Sequence, residues 1–328
     1  MAMTARNASS PPLTPRLPPR PTTTEGRMRQ VGIEIEFGDL ALEEAARIIV
    51  SLFGGKAREE GPNSWIVEGT RFGRFGVKLD AIYLHAKAED ERWKEIESEL
   101  LARLGELASH FVPAEIVGPP IPISDIPAFD TLQQALAAHG ATGTGEALYY
   151  AFAMQFNPEV PDTEIQVVLN QFRAYLLMED WLRRTAGRDM LRRLFAFANP
   201  FPRSYARRVL DPAYAPDWPQ FIDDYLADNA TRNRGLDLLP LFAHLDRPRL
   251  ERHVHDVRIK ARPTYHYRIP DSRIGEPGWS ITGEWNRWVR VEELAEDAAM
   301  LRRLSRAYLR FVGSRDEWAD LVDALLFG

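Results

Sequence analysis

The segment Arg29-Gln-Val-Gly-Ile-Glu-Ile-Glu-Phe37 constrains this chain more than any other. Val31, Ile33, Ile35 and Phe37 alternate with Gly32, Glu34 and Glu36, a period of two that reads as a β-strand with one apolar and one carboxylate-bearing face. Two glutamates two residues apart on a strand point the same way, close enough to share one divalent cation. On a solvent-facing sheet the same pattern is an ordinary polar face. The apolar flanks mark a core strand, and Gly32 removes a side chain where another group has to approach.

The rest of the chain supplies partners for such a strand. Leu42 to Phe53 has helical spacing, and Trp65–Val67 and Phe75–Leu79 read as short strands separated by Gly-rich turns. Glu89 to Ser109 forms an amphipathic stripe of Trp93, Ile96, Leu100, Leu104 and Leu107. Ala114–Val117 is a strand that has to stop at Pro119-Pro120, Ile126–Ala138 is a helix, and Leu148–Asn157 a buried strand closed by Pro158. Helices are expected over Glu164–Arg184, in pieces through Leu191–Asp256, and over Val291–Val312 and Asp316–Leu326, with a last strand at Thr264–Ile269. Strands and helices lack a regular βαβ rhythm. The fold class expected is α+β with a largely antiparallel sheet.

Residues 1–27 differ from this body. They hold six of the 24 prolines, four arginines and one glutamate, with no hydrophobic run like that of a signal peptide. With little apolar material to offset ordering entropy, the segment is expected to be a disordered tail, leaving 28–328 as one domain with a helical C-terminal half. The longest apolar run, Ala147–Met154, has eight residues against the roughly 20 a bilayer span needs, so no membrane partner is expected. A net charge of −6 argues against a broadly basic nucleic-acid surface. The absence of cysteine excludes disulfides, thiolate metal sites and cysteine nucleophiles, and fits a cytoplasmic location.

Other polar residues stand out against apolar surroundings. Glu115 lies on the strand before the double proline, and Gln155 and Asn157 are two apart on an otherwise apolar strand. Polar groups there are costly without partners, so their face either lines a cavity or holds paired structural amides. His266-Tyr-Arg268 ends the last strand, with Asp271-Ser-Arg273 following, and arginines at a strand end suit phosphate or carboxylate recognition. Asn229-Ala-Thr-Arg232-Asn-Arg234 is a second anion-clamp candidate. His253-Val-His255 sits in a charged helix end, and no Gly-x-Ser-x-Gly elbow anchors a hydrolase triad.

Taken in order, Val31–Phe37, Glu115-Ile-Val-Gly-Pro-Pro120, Ala153-Met-Gln-Phe-Asn157 and Tyr265-His-Tyr-Arg268 resemble the amidoligase family, carboxylate–amine ligases related to glutamine synthetase and glutamate–cysteine ligase. The resemblance covers about residues 29–290. It implies a glutamine-synthetase-like fold, a curved, largely antiparallel sheet backed by helices, holding ATP and Mg²⁺ (or Mn²⁺). It further implies that Glu34, Glu36 and Glu115 are metal ligands and that Arg268 and Arg273 act on the transferring phosphate. Gln155, Asn157, Arg262 and His266 would contact the cofactor, and Asp80, Arg232 and Arg234 the substrate. Many relatives carry His-x-His where this chain has Gln155-x-Asn157, and Glu-x-Arg where it has His266-x-Arg268. The implied activity is ATP-dependent amide formation between a small-molecule or peptide carboxylate and an amine, with a glutamine-amidotransferase-like protein as partner. A guanidino-kinase-like phosphotransferase and an inactive peptide- or nucleotide-binding relative are the alternatives.

Overall fold

The computed structural model describes residues 13–61, 63–79, 113–144, 152–186 and 198–328. Nine strands form one open antiparallel sheet: β1 Gln30–Phe37, β2 Lys56–Gly61, β3 Ser64–Thr70, β4 Gly73–Leu79, β5 Ala114–Val117, β6 Ile121–Pro122, β7 Met154–Pro158, β8 Leu236–Asp237 and β9 His266–Tyr267. Their order is β2-β3-β4-β5-β1-β7-β9-β8, with β6 added beside the start of β1. The segment that most constrained the fold therefore lies at the centre of the sheet. The mixed α and β content and the antiparallel pairing are as expected.

The apolar face of β1 is fully buried: Val31, Ile33, Ile35 and Phe37 are each 0% exposed. Nine helices occur among the described residues: α1 Leu42–Phe53, α2 Pro127–Ala138, α3 Ile165–Ala186, α4 Arg203–Leu210, α5 Trp218–Asn229, α6 Leu239–Glu251, α7 Ile281–Glu296, α8 Ala298–Arg310 and α9 Arg315–Leu326. Helix α1 packs on β2, β3 and β4, and α3 packs on α7, α8 and α9. Edge-to-face contact of Phe156 with Trp285 at 5.8 Å, and tilted contacts of Tyr265 and Tyr267 with Trp288 at 5.9 and 5.0 Å, bring α7 against the apolar face of β7 and β9.

Three expectations change in detail. Strand β2, Lys-Ala-Arg-Glu-Glu-Gly, has almost no apolar residues and was invisible to periodicity; its pairing with β3 makes it a sheet edge. The helix expected over Val291–Val312 is two, because Asp297 leaves helical geometry (φ −85°, ψ 83°) and caps α8 by accepting from the backbone N–H of Ala299 and Met300. The strand expected over Thr264–Ile269 narrows to His266–Tyr267, with Thr264 bridging Glu159 beside it. The helix read over 89–109 lies outside the described residues, as does the part of the Leu148–Asn157 strand before residue 152.

The tail reading needs correction over residues 13–27. The Trp285 indole donates to Arg16 O at 2.9 Å, Arg16 pairs with Glu293 at 2.5 Å, and Arg20 pairs with Glu296 at 2.8 Å. Arg27 meets Glu159 at 2.5 Å, and Thr22 bridges Met28. A proline-rich strap needs little apolar burial of its own when its backbone satisfies polar groups of α7. Removing residues 1–27 should therefore lower Tm and cost roughly 1–3 kcal/mol, the penalty for stranding a buried donor such as the Trp285 indole. Thermal melting of the truncated chain checks this, and an unchanged Tm would count against the strap.

Candidate active site

Antiparallel partners project to the same side of a sheet, so the register fixes which polar residues share a face. Glu36 stands opposite Glu115, and Glu115 opposite Lys78. Glu34 stands opposite Gln155, and Gly32 opposite Asn157. Phe156 pairs with Tyr267, which sets His266 and Arg268 on the face of Gln155 and Asn157, and His266 stands opposite Asp237. One face of six adjacent strands thus carries Lys78, Glu115, Glu34, Glu36, Gln155, Asn157, His266, Arg268 and Asp237. The opposite face of the same strands is the aromatic and aliphatic core.

These groups interlock, and all but the half-buried Glu34 and Lys78 are buried. The Asn157 amide donates to Glu34 Oε1 at 2.8 Å and accepts from Arg262 Nη2 at 2.5 Å, so a neutral side chain bridges a carboxylate and a guanidinium. Arg262 Nε donates to Thr264 Oγ1 at 3.0 Å. His266 Nε2 lies 2.5 Å from Gln155 Oε1, and its Nδ1 lies 3.4 Å from Asp237 Oδ2. Glu36 Oε2 accepts from Ala153 N–H at 2.7 Å, and Lys78 Nζ lies 3.2 Å from Glu115 Oε2. Arg268 Nη1 donates to Arg232 O at 2.5 Å. Gly32 has its expected use: a Cβ there would meet Asn157 Cβ at 3.3 Å, so what approaches is the bridging amide.

Apart from Lys78 beside Glu115 and Asp237 beside His266, the charges are segregated. Glu34, Glu36 and Glu115 lie on β1 and β5, while Arg262, His266 and Arg268 lie on or beside β9. Arg232 acts electrostatically on Arg262 and belongs to this basic end. Burial opposes ionisation of Glu34, yet His266, the Asn157 amide, Arg262 and Lys78 together outweigh it and hold its carboxyl below the ordinary value. The amide and the two cations act whatever the state of His266. Burial lowers the His266 imidazole against the pull of Asp237, and Arg268 lowers it further. Burial also lowers Arg262, with Glu34 and Asp237 opposing and Arg232 adding to the effect.

Not every expected residue joins the cluster. Arg234 turns to the other side, donating to Pro200 O at 2.7 Å and Asp228 O at 3.3 Å with its guanidinium over the Phe201 ring, so it braces a loop. Arg273 pairs with Glu276 three residues on, at 2.9 Å. Asp80 lies outside the described residues. Glu34, Glu36 and Glu115 share the face, but each carboxylate is engaged elsewhere. Among the described residues, no three His, Cys, Asp or Glu side chains converge on a common metal position.

Two site residues escaped the sequence reading. Lys78 was hidden in a strand read for its apolar positions. Asp237 sits in Gly-Leu-Asp-Leu-Leu-Pro240, read as helical, where β8 precedes α6. A single carboxylate inside an apolar run was the available signal, since it has to find partners once buried. Gln155 and His266 touch each other.

The family model described as "putative amidoligase enzyme" matches residues 27–290, most of the chain. The chain belongs to the amidoligase family. The matched span contains every strand of the sheet and each site residue named above. Membership makes a ligase-type enzyme the coarse functional assignment. No curated protein matches the chain, and no solved structure matches it. Among the described residues, no helix of this amidoligase is long and apolar enough to cross a membrane.

Proposed function

We propose that this amidoligase family member joins a carboxylate to an amine with ATP and Mg²⁺ (or Mn²⁺), activating the acid as an acyl phosphate. The observation that carries the reading is the segregation of charge on one buried sheet face, with three glutamates at register-neighbouring positions beside a basic end of Arg232, Arg262 and Arg268. Carboxylates in that donor set suit hard cations, and guanidinium forks suit phosphate oxygens. Glu34, Glu36 and Glu115 would hold the metal, which supplies neutralisation of phosphate charge. Adjacent register makes their convergence a matter of side-chain rotation, with Lys78 giving up Glu115. Arg262 and Arg268 would bind and orient the phosphates, and burial of the face would keep water from the activated acid. No protein nucleophile is required.

The test is ADP release from mixed pools of carboxylates and amines, with product masses measured. ADP release that needs Mg²⁺ and both substrates, with an amide product, is the expected result. ADP release with a phosphorylated acceptor and no amide would instead make the protein a phosphotransferase, and no nucleotide turnover would make it a binding protein. Within the ligase reading, Glu34→Gln, Glu36→Gln and Glu115→Gln should each weaken Mg²⁺-dependent ATP binding while the fold persists. These changes remove charge and keep volume. Calorimetric titration with and without Mg²⁺ checks this, and unchanged metal dependence in all three variants would make the glutamates structural.

A further inference from the structure

The Asp237–His266–Gln155 line carries more than the proposed reaction uses. Asp237 is 0% and His266 3% exposed, and each sits on a different strand of the polar face. Asp237 Oδ1 already accepts from Leu239 N–H at 2.9 Å, which fixes the carboxylate at the start of α6. Its Oδ2 then faces His266 Nδ1, while His266 Nε2 faces Gln155 as placed with its Oε1 toward the ring. The groups around the imidazole are Asp237 from β8, Gln155 from β7, Glu34 from β1 and Arg268 from its own strand.

A carboxylate has no proton to offer, so the contact with Asp237 is a hydrogen bond only if Nδ1 carries the proton. With Nε2 protonated instead, a nitrogen lone pair would point at a buried anion. A doubly protonated ring satisfies both contacts and is favoured by Asp237 and Glu34, but burial first and Arg268 second outweigh them. The remaining arrangement is a neutral ring with Nδ1–H donated to Asp237 and a bare Nε2, met by the N–H end of the Gln155 amide. The two ends of such an amide are set by the network they join.

We propose that Asp237 is a positioning residue of the site, holding His266 as the Nδ1–H tautomer so that bare Nε2 is presented to the amine substrate as its proton acceptor. The accepting role rests on the ligase reading; the tautomer does not. In the joining step the amine nitrogen gives its electron pair to the acyl carbon, and the bond from that carbon to the phosphate oxygen breaks. Phosphate leaves with that pair, and the proton shed by nitrogen moves to Nε2. The imidazolium so formed is the state in which the bond to Asp237 strengthens. Substrate would displace the Gln155 amide from Nε2, which gives position 155 a gating part.

The experiment is ¹⁵N NMR of the histidine rings in the full chain, with His266 assigned by loss of its signals in His266→Gln. The wild-type ring is expected with Nδ1 protonated and Nε2 bare, by about tenfold or more over the other tautomer, the bias expected of a bond to a charged acceptor. Asp237→Ala should reverse the preference toward Nε2–H donated to Gln155, and Asp237→Asn should do so too, because its one oxygen stays on Leu239 N–H and its NH2 then faces Nδ1. Where turnover is measurable, Asp237→Ala and Asp237→Asn should both lower kcat with little change in KM. An Nε2–H tautomer in the wild type overturns the proposal, and that result needs no variant to fold. An unchanged tautomer in folded Asp237→Ala overturns it as well. Absence of amide formation by the wild type, with the Nδ1–H tautomer present, would sink the ligase reading and leave the tautomer assignment standing.

Discussion

Glu292→Ala should cost about 3–5 kcal/mol of stability, the range for breaking a buried ion pair by removing one partner. Arg29 and Glu292 have side chains 1% and 2% exposed. The pair is bidentate, with Arg29 Nη1 and Nη2 donating to Glu292 at 2.7 and 2.9 Å. Glu292 also accepts from the Trp288 indole at 2.8 Å and the Gln171 amide at 3.3 Å. Arg29 in turn donates to Glu159 O and Arg20 O, and Gln171 accepts from the Tyr265 hydroxyl at 2.6 Å. The truncation would leave a buried cation, an indole and an amide short of a partner at once. This network ties the 13–27 strap, the start of β1 and the run into β9 to α3 and α7, so the loss should be global. Urea denaturation at constant m measures it. A cost below about 1 kcal/mol would show that water or side-chain motion satisfies Arg29.

On the proposed ligase reading, Arg268→Lys should lower kcat by about 10²–10³, the range for loss of one donor aimed at developing charge, while ATP affinity changes less. Arg268 is 6% exposed, its backbone N–H donates to Gly235 O at 2.8 Å, and its Nη1 donates to Arg232 O at 2.5 Å. That bond fixes the plane of the guanidinium, the orientation in which a phosphoryl group would meet it. Lysine has a single charged head and no such plane. If Arg268 only braces the loop through the Arg232 carbonyl, the substitution should instead lower stability and leave the folded fraction fully active. Turnover, ATP affinity and melting on one preparation separate the two outcomes.

Legibility differed among the parts of the site. Glu34, Glu36, Gln155, Asn157, His266 and Arg268 were readable because a polar residue at period two in an apolar strand announces a face. Arg262 and Arg232 joined them. Arg234 and Arg273 looked equivalent to Arg232 and Arg268 on paper, and only their contacts with Pro200 O and Glu276 set them apart. Asp237 was missed because a two-residue strand has no periodicity to detect. Residues 13–27 were misread because their order comes from bonds to α7, more than 250 residues away in sequence.

What the sequence determined by itself was local: the central strand, its two faces, most helices, and the residue types placed on the polar side. Alternation and helical spacing are short-range signals that tertiary context does not reverse when one face is fully buried. What only the tertiary structure decided was which of those residues meet. The order β5-β1-β7-β9-β8 carries Glu115, Glu34, Gln155, His266 and Asp237 onto one face, although they are spread from residue 34 to residue 266. Strand order is set by which apolar faces pack best against the helices behind them, and that choice is made over the whole chain at once.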